Sequence, residues 1–419
     1  MNTTATDNLR IDGQRLWDSL MDMARFGATP AGGVHRLALS PRDVAGRAHF
    51  CALCEAAGLA VRVDAVGNIF ARRPGRDPTR APVLFGSHLD SQPFGGKFDG
   101  ALGVMAALEV MRSLNDHGVE TEAPLELVNW TDEEGSRFGV GLIGSGLWAG
   151  AHDPARIAAL TDDEGVSLRT ALDAAGIGGG LETVADAPAP DAYFELHIEQ
   201  GPILEREGET IGIVTGAQAQ LWYDVIVTGT AAHAGTTPPS ARRDALVCAA
   251  RVIDLVDRMM RARGEDGRGT VGQLRVSPNS RNVIPGEVRF SVEFRHPSDA
   301  EIDRLAAQFP REAGFIARDC GTAIDIRPVL RLAAQPFDPA CIALVREAAA
   351  GLGLKAREMV SGAGHDAVQV ARRAPTSMIF VPCKDGLSHN EAESTEPGEA
   401  EAGAQVLLRA VLARANRPV

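Results

Sequence analysis

Two rhythms of apolar and polar positions run along this chain. From residue 14 to about residue 213, short strand-like runs interleave with segments of helical period. "PVLF" (82–85), "PLELVNWT" (124–131) and "LAVRVDAVGNIFARRP" (59–74) read as strands, by apolar run, alternation or β-branched content. "RDVAGRAHFCALCEAAGLAV" (42–61) reads as one amphipathic helix with Val44, Ala48, Cys51 and Cys54 on its apolar side. "ALGVMAALEVMRSL" (101–114) reads as another helix. This interleaving predicts an α/β fold carried on a mixed sheet. Residues 151–190 are less regular, with "GIGGG" and "DAPAPD" as loop signals, and read as a surface excursion.

The second rhythm starts near Gly216. "LWYDVIVTG" is a strand, and "SARRDALVCAARVIDLVDRMMRARG" a helix with Leu246, Ala249, Ile253 and Val256 on one face. The strands "TVGQLRVSP" and "GEVRFSVEFRH", the helix "SDAEIDRLAAQF" and the strand "TAIDIRPVL" follow. The order βαββαβ is that of a ferredoxin-like unit. α/β-type sequence then resumes, so residues 215–330 are expected to be an insertion in a domain made of 1–214 and 331–419.

Composition narrows the class. A chain of 419 residues is long for a single core, so two domains are expected. With 42 basic and 55 acidic residues the net charge is −13, which disfavours nucleic acid and anionic membrane as partners. No apolar run reaches spanning length, and "MNTTATDNLR" lacks the apolar core of a signal peptide; a cytoplasmic protein is expected. Cys51 and Cys54 form a C-x-x-C, but no second such pair follows. Their helical spacing favours buried, reduced thiols over a redox or zinc motif.

The chemistry sits in loops after apolar runs. "GSHLDSQPFGGKFDG" (86–100) places His88, Asp90 and Asp99 in glycine-rich sequence between a strand and a helix, where α/β folds build ligand sites. "WTDEEGSRFG" adds Asp132, Glu133 and Glu134, adjacent carboxylates that repel one another unless a cation or a proton intervenes. "YFELHIEQGPILE" carries His197, and "IFVPCKDGLSHNEAE" carries His389. Each stretch alone is compatible with an acidic turn or a core histidine. Together His88, His197, His389, Asp99 and Glu134 form the mixed imidazole–carboxylate set preferred by divalent Zn, Mn, Co or Ni. Five ligands exceed what one catalytic zinc takes, whereas two metals with Asp99 as a bridge use them all. Asp90, two residues beyond His88, suits the role of fixing a ligand imidazole. Glu133 is left unligated, able to take a proton from water.

The stretches "GSHLDSQPFGGKFDG", "WTDEEGSRFG", "ELHIEQGPILE", "HAGTTP" and "LSHNEAE", in this order, resemble the dinuclear metal amidohydrolases of the hydantoinase/carbamoylase type, within the wider peptidase M20 family. The resemblance spans nearly the whole chain. It implies metal ligands at His88, Asp99, Glu134, His197 and His389, Asp99 bridging, and Glu133 as general base. It implies that the inserted domain is a lid and a homodimer interface. It assigns His233 of "HAGTTP" to polarising the scissile carbonyl in a neighbouring subunit, Asn282 and Arg295 to gripping a substrate carboxylate, and Gln200 to lining the site. "SGAGHDA" (361–367) resembles a pocket loop, with His365 in support. Pro239 stands where many relatives have Met, which puts the shape of the loop after His233 in doubt.

The resulting expectation is hydrolysis of an N-carbamoyl-L-amino acid or N-carbamoyl-β-alanine to the amino acid, CO2 and ammonia. The enzyme alternatives are allantoate hydrolysis and general M20 deacylase or peptidase action. A non-catalytic dimeric binding protein is the alternative from another class, and a full ligand set with an intact Glu133 argues against it.

Overall fold

The stretch 59–74, expected as one strand, folds as two. Gly67 takes a left-handed turn (φ 92°) and Asp64 accepts backbone N–H groups from Val66 and Asn68, so Ala60–Val63 returns antiparallel on Ile69–Arg73. The computed structural model describes residues 8–418. The chain divides into one unit ending at Gly216 and resuming at Phe337, and a second unit, Ala217–Pro336.

The first unit is built on a mixed sheet in the order Ala60–Val63, Ile69–Arg73, Leu125–Trp130, Val83–His88, Ala192–Ile198, Thr376–Val381, Ile211–Ala217. Leu125–Trp130, Val83–His88, Ala192–Ile198 and Thr376–Val381 are mutually parallel, and every residue in them is buried. Strands covered on both faces read as unbroken apolar runs, which is why "PVLF" shows no alternation. The helices Ala101–Asp116 and Pro397–Ala415 pack on these strands. Because the four strands are parallel, their C-terminal ends lie along one edge.

Two further expectations are corrected in this unit. The helix Pro41–Ala56 buries Asp43, Arg47, Phe50 and Cys54, while Ala48 is exposed; its inner face is turned by about one residue from the predicted one. Buried Arg36, held by the carbonyls of Met23, Phe26 and Leu89, is part of the polar layer behind this shift, which apolar periodicity cannot reveal. Residues 151–190 are not a mere excursion: short helices at Pro154–Ala158 and Leu168–Ala174 bury Ile157, Leu168 and Leu172. All six cysteines are free, Cys54 buried and Cys51 partly so.

In the second unit the strands Leu274–Ser277, Glu287–His296, Ala219–Thr228 and Ala323–Leu332 lie in that order, each antiparallel to its neighbour. The helices Ala245–Arg261 and Asp299–Asp319 complete the βαββαβ order. Ala219–Thr228 alternates buried and exposed positions, so one face of the sheet meets the helices. Asp244 caps the first helix through the N–H groups of Leu246 and Val247; its buried stripe includes Ala249, Val252 and Val256, and Leu246, expected inside, is exposed.

Candidate metal centre

The site stands at the C-terminal edge of the four parallel strands. His88 is the last residue of Val83–His88, and His197 lies in Ala192–Ile198. Glu133 and Glu134 follow Leu125–Trp130 after a turn in which Asp132 has φ 54°. Gln200 (φ 58°) and His389 (φ 54°) are left-handed as well. Three non-glycine residues in that sparsely populated region around one site mark backbone held in place for function.

Asp99 is the centre. Its Oδ1 lies 3.4 Å from His88 Nε2 and 3.1 Å from His197 Nε2, while its Oδ2 lies 3.5 Å from His389 Nε2. Glu134 Oε2 is 3.4 Å from the same His389 nitrogen. Two donor groups result, His88–Asp99–His197 and Asp99–Glu134–His389, each compact enough for one cation and sharing Asp99. The imidazoles are oriented from behind. His88 Nδ1 faces the Asp90 carbonyl at 3.0 Å and His197 Nδ1 the Ile198 carbonyl at 2.9 Å, so each Nδ1 carries the proton and each Nε2 turns its lone pair inward. His88 Nε2 is buried with no hydrogen-bond partner, as a metal-binding nitrogen would be. Gly100 closes on this ring: a side chain there would collide with the His88 imidazole.

Asp90 meets His88 Nδ1 through its backbone carbonyl, with its Oδ1 at 3.9 Å from the same nitrogen, and its carboxylate receives the N–H groups of Glu133 (3.3 Å) and Glu134 (3.2 Å). It therefore fixes the acidic turn. Gln92 adds two bonds to the Glu134 carboxylate, at 3.0 and 2.8 Å. Glu133 is buried, and its Oε2 is 3.6 Å from His88 Nε2.

The electrostatics show what this packing costs. Burial, with Asp99 beside it, pushes the Glu134 carboxyl up to about 8. Burial likewise drives Glu133 well above the usual carboxylate range, against the pull of His88. Asp99 goes the other way: burial opposes its charge, but His197 and His88 hold it well below that range. A buried cluster of carboxylates demands cations or protons. With imidazole nitrogens turned toward the same points, the residues present fit divalent metal ions.

Of the remaining predicted residues, Gln200 joins this centre, its amide donating to Asp99 Oδ2 at 2.7 Å while its Oε1 has no partner. His365 packs its ring 4.6 Å from that of His197. His233, Asn282 and Arg295 belong to the second unit. There Ala232–His233 pairs antiparallel with Val283–Ile284, and Ala234 N–H donates to the Asn282 carbonyl, so His233 and Asn282 are held close together. His233 Nδ1 accepts the N–H groups of Gly235 and Thr236, which leaves the ring proton on Nε2. Arg295 stands on the strand Glu287–His296, paired with Glu293. Gln92, Ser388 and Glu393 went unread in the sequence although they lie inside the quoted stretches. Their only signal was proximity to the ligands.

A sheet edge that gathers such donors is a candidate centre for divalent metal ions. The chain belongs to peptidase family M20/M25/M40, whose family pattern matches residues 84–413. It is 46% identical over 410 residues to an N-carbamoyl-L-amino-acid amidohydrolase of Rhizobium meliloti, covering 98% of each chain. It is 40% identical to the N-carbamoyl-L-amino acid amidohydrolase of Geobacillus stearothermophilus, covering 96% of this chain and 98% of that one. Among solved structures it is similar to a hydantoinase/carbamoylase family amidase from Burkholderia multivorans, with TM-score 0.92 and 51% identity, covering 98% of this chain and all of the other (100%).

Proposed function

We propose that the protein hydrolyses N-carbamoyl-L-amino acids to the free amino acid, CO2 and ammonia, at a centre of two divalent ions. The observation that carries this reading is the pair of donor groups meeting at Asp99, with unligated Glu133 beside them. The names of the relatives above support the ureido substrate. Bound ions would supply Lewis-acid polarisation of the ureido carbonyl and acidify the attacking water.

The side chains do the rest. His88, Asp99 and His197 would hold one ion, and Asp99, Glu134 and His389 the other. Glu133 takes the water proton and hands it to the leaving nitrogen. Asp90 keeps the acidic turn in register for that transfer. His233, with its proton on Nε2, presents a donor suited to a developing oxyanion. Arg295 and Asn282 grip the substrate carboxylate, Arg295 through its planar fork, and Gln200 Oε1 offers an acceptor to the ureido group. The second unit acts as lid and as the interface of a homodimer, and the protein works in the cytoplasm.

The test is a substrate panel read by ammonia release: N-carbamoyl-L-amino acids, their D-enantiomers, N-carbamoyl-β-alanine, allantoate and dipeptides. Preferred turnover of the carbamoyl-L-amino acids supports the proposal. Cleavage of dipeptides with no ammonia from any ureido compound overturns it.

A further inference from the structure

The loop bearing His389 and the loop bearing Asp99 are tied together by one buried carboxylate, that of Glu393. Its Oε1 accepts the backbone N–H groups of Phe98 and Asp99, both at 3.0 Å. Its Oε2 lies 3.0 Å from Ser388 Oγ, and that hydroxyl lies 2.9 Å from Asp99 Oδ2. One side chain thus fixes the main chain of the shared ligand and, through Ser388, the oxygen that faces His389. Glu393 is only 2% exposed. The opposite wall is Gly96, where even a methyl group would collide with the Glu393 carboxylate. A seat cut to this shape, with both carboxylate oxygens engaged, is more than packing.

The two donor groups do not depend on it equally. His88 and His197 are 1% exposed at strand ends, each with Nδ1 anchored by a backbone carbonyl. His389 is half-exposed, its side chain at 49%, on a loop. We infer that Glu393 is a positioning residue which sets the affinity of the Asp99–Glu134–His389 group for its ion, leaving the His88–Asp99–His197 group largely unaffected. This rests on the metal-binding part of the reading above and is independent of the substrate.

The geometry separates shape from charge. Gln in place of Glu393 keeps an oxygen for the two N–H groups and gives Ser388 Oγ a donor, so the brace survives. Ala removes it.

The experiment measures bound Mn2+ or Co2+ per chain by elemental analysis, and both dissociation constants by competition with a chelator. Deuterium uptake over 93–102 is followed in the metal-free proteins. In Glu393→Ala the ion of the Asp99–Glu134–His389 group should lose about 10- to 100-fold in affinity, the usual worth of a residue behind a ligand, while the other shifts less than about 3-fold. Metal-free Glu393→Ala should take up deuterium faster at Phe98 and Asp99. Glu393→Gln should restore both readings, and Ser388→Ala should weaken the ion of the Asp99–Glu134–His389 group alone. If Glu393→Ala is too unstable to purify, Ser388→Ala with Glu393→Gln decides. Equal weakening of both ions, unchanged binding, or a Gln variant as impaired as Ala overturns the inference. If wild type binds two ions as described but releases no ammonia from ureido acids, the proposed substrate fails and this inference stands.

Discussion

Adjacent carboxylates Glu133 and Glu134 are assigned opposite tasks, and their surroundings make the assignment testable. The Glu134 carboxylate receives two bonds from Gln92, at 3.0 and 2.8 Å, and faces His389. A Gln there keeps one oxygen; its amide N–H must then oppose one of the Gln92 donors, which costs about 1–3 kcal/mol for the unsatisfied contact, and an anionic ligand disappears as well. Glu133 gives up little: its carboxylate stands 3.6 Å from His88 Nε2, and its backbone bond to Asp90 is untouched by the change. Glu133→Gln should therefore keep its full metal content and wild-type melting temperature, yet lose about 10²–10⁴ in kcat, the worth of a general base and equivalent to ~3–5 kcal/mol of barrier. Glu134→Gln should lose metal, with activity partly recovered in excess Mn2+ or Co2+. Elemental analysis and ammonia release on the same preparations read both effects. The reverse pattern, metal lost from the Glu133 variant and base activity lost from the Glu134 variant, would refute the assignment.

Chelation should abolish activity and added Zn2+, Mn2+, Co2+ or Ni2+ restore it to differing extents, while Asp99→Ala should bind at least one ion fewer; full turnover by metal-free protein would sink the mechanism. Arg295→Ala should cost about 2–5 kcal/mol in kcat/KM for the acid substrate and erase discrimination against its amide analogue, with Arg295→Lys a poor substitute; an unaltered preference for the acid removes Arg295 from the clamp. Burial pushes Asp43 from its ordinary 3.8 up to about 6, against the pull of Arg47, so between those values the folded chain holds a proton that the unfolded chain releases. Wild type should lose up to ~3 kcal/mol more than Asp43→Asn as pH rises through that window; urea titrations at pH 4 and 7 in which the two proteins keep a constant difference would contradict this.

The candidate donors were legible because metal chemistry restricts residue types: few stretches offer His, Asp and Glu at strand ends, and the parallel sheet brings such ends to one edge. What was misread follows from partners rather than from types. Val44–Ala48–Cys51–Cys54 is a fair apolar stripe, but a layer containing buried Asp43, Arg36 and Arg47 took the inner face. The stretch 59–74 has the alternation of a strand, and only the local bonds of Asp64 with the Gly67 turn break it into a hairpin. Asp90 stands beside His88 as its spacing suggests, but that its backbone carbonyl makes the short contact leaves no mark in a sequence.

The same distinction explains why Glu393 escaped notice. In "LSHNEAE" it is one of two acids, four residues past His389, with nothing in spacing to separate it from Glu391, which is only half-buried. Its role exists only because a loop almost 300 residues earlier presents two N–H groups and a glycine to receive it. A divalent site needs rigid ligands more than it needs many, because each loop left free must be ordered when the ion binds. The strand-borne histidines obtain that rigidity from the sheet, whereas His389 lies on a loop. Its order must come from a bond that crosses between loops, and a buried carboxylate accepting two backbone N–H groups and facing a hydroxyl supplies one.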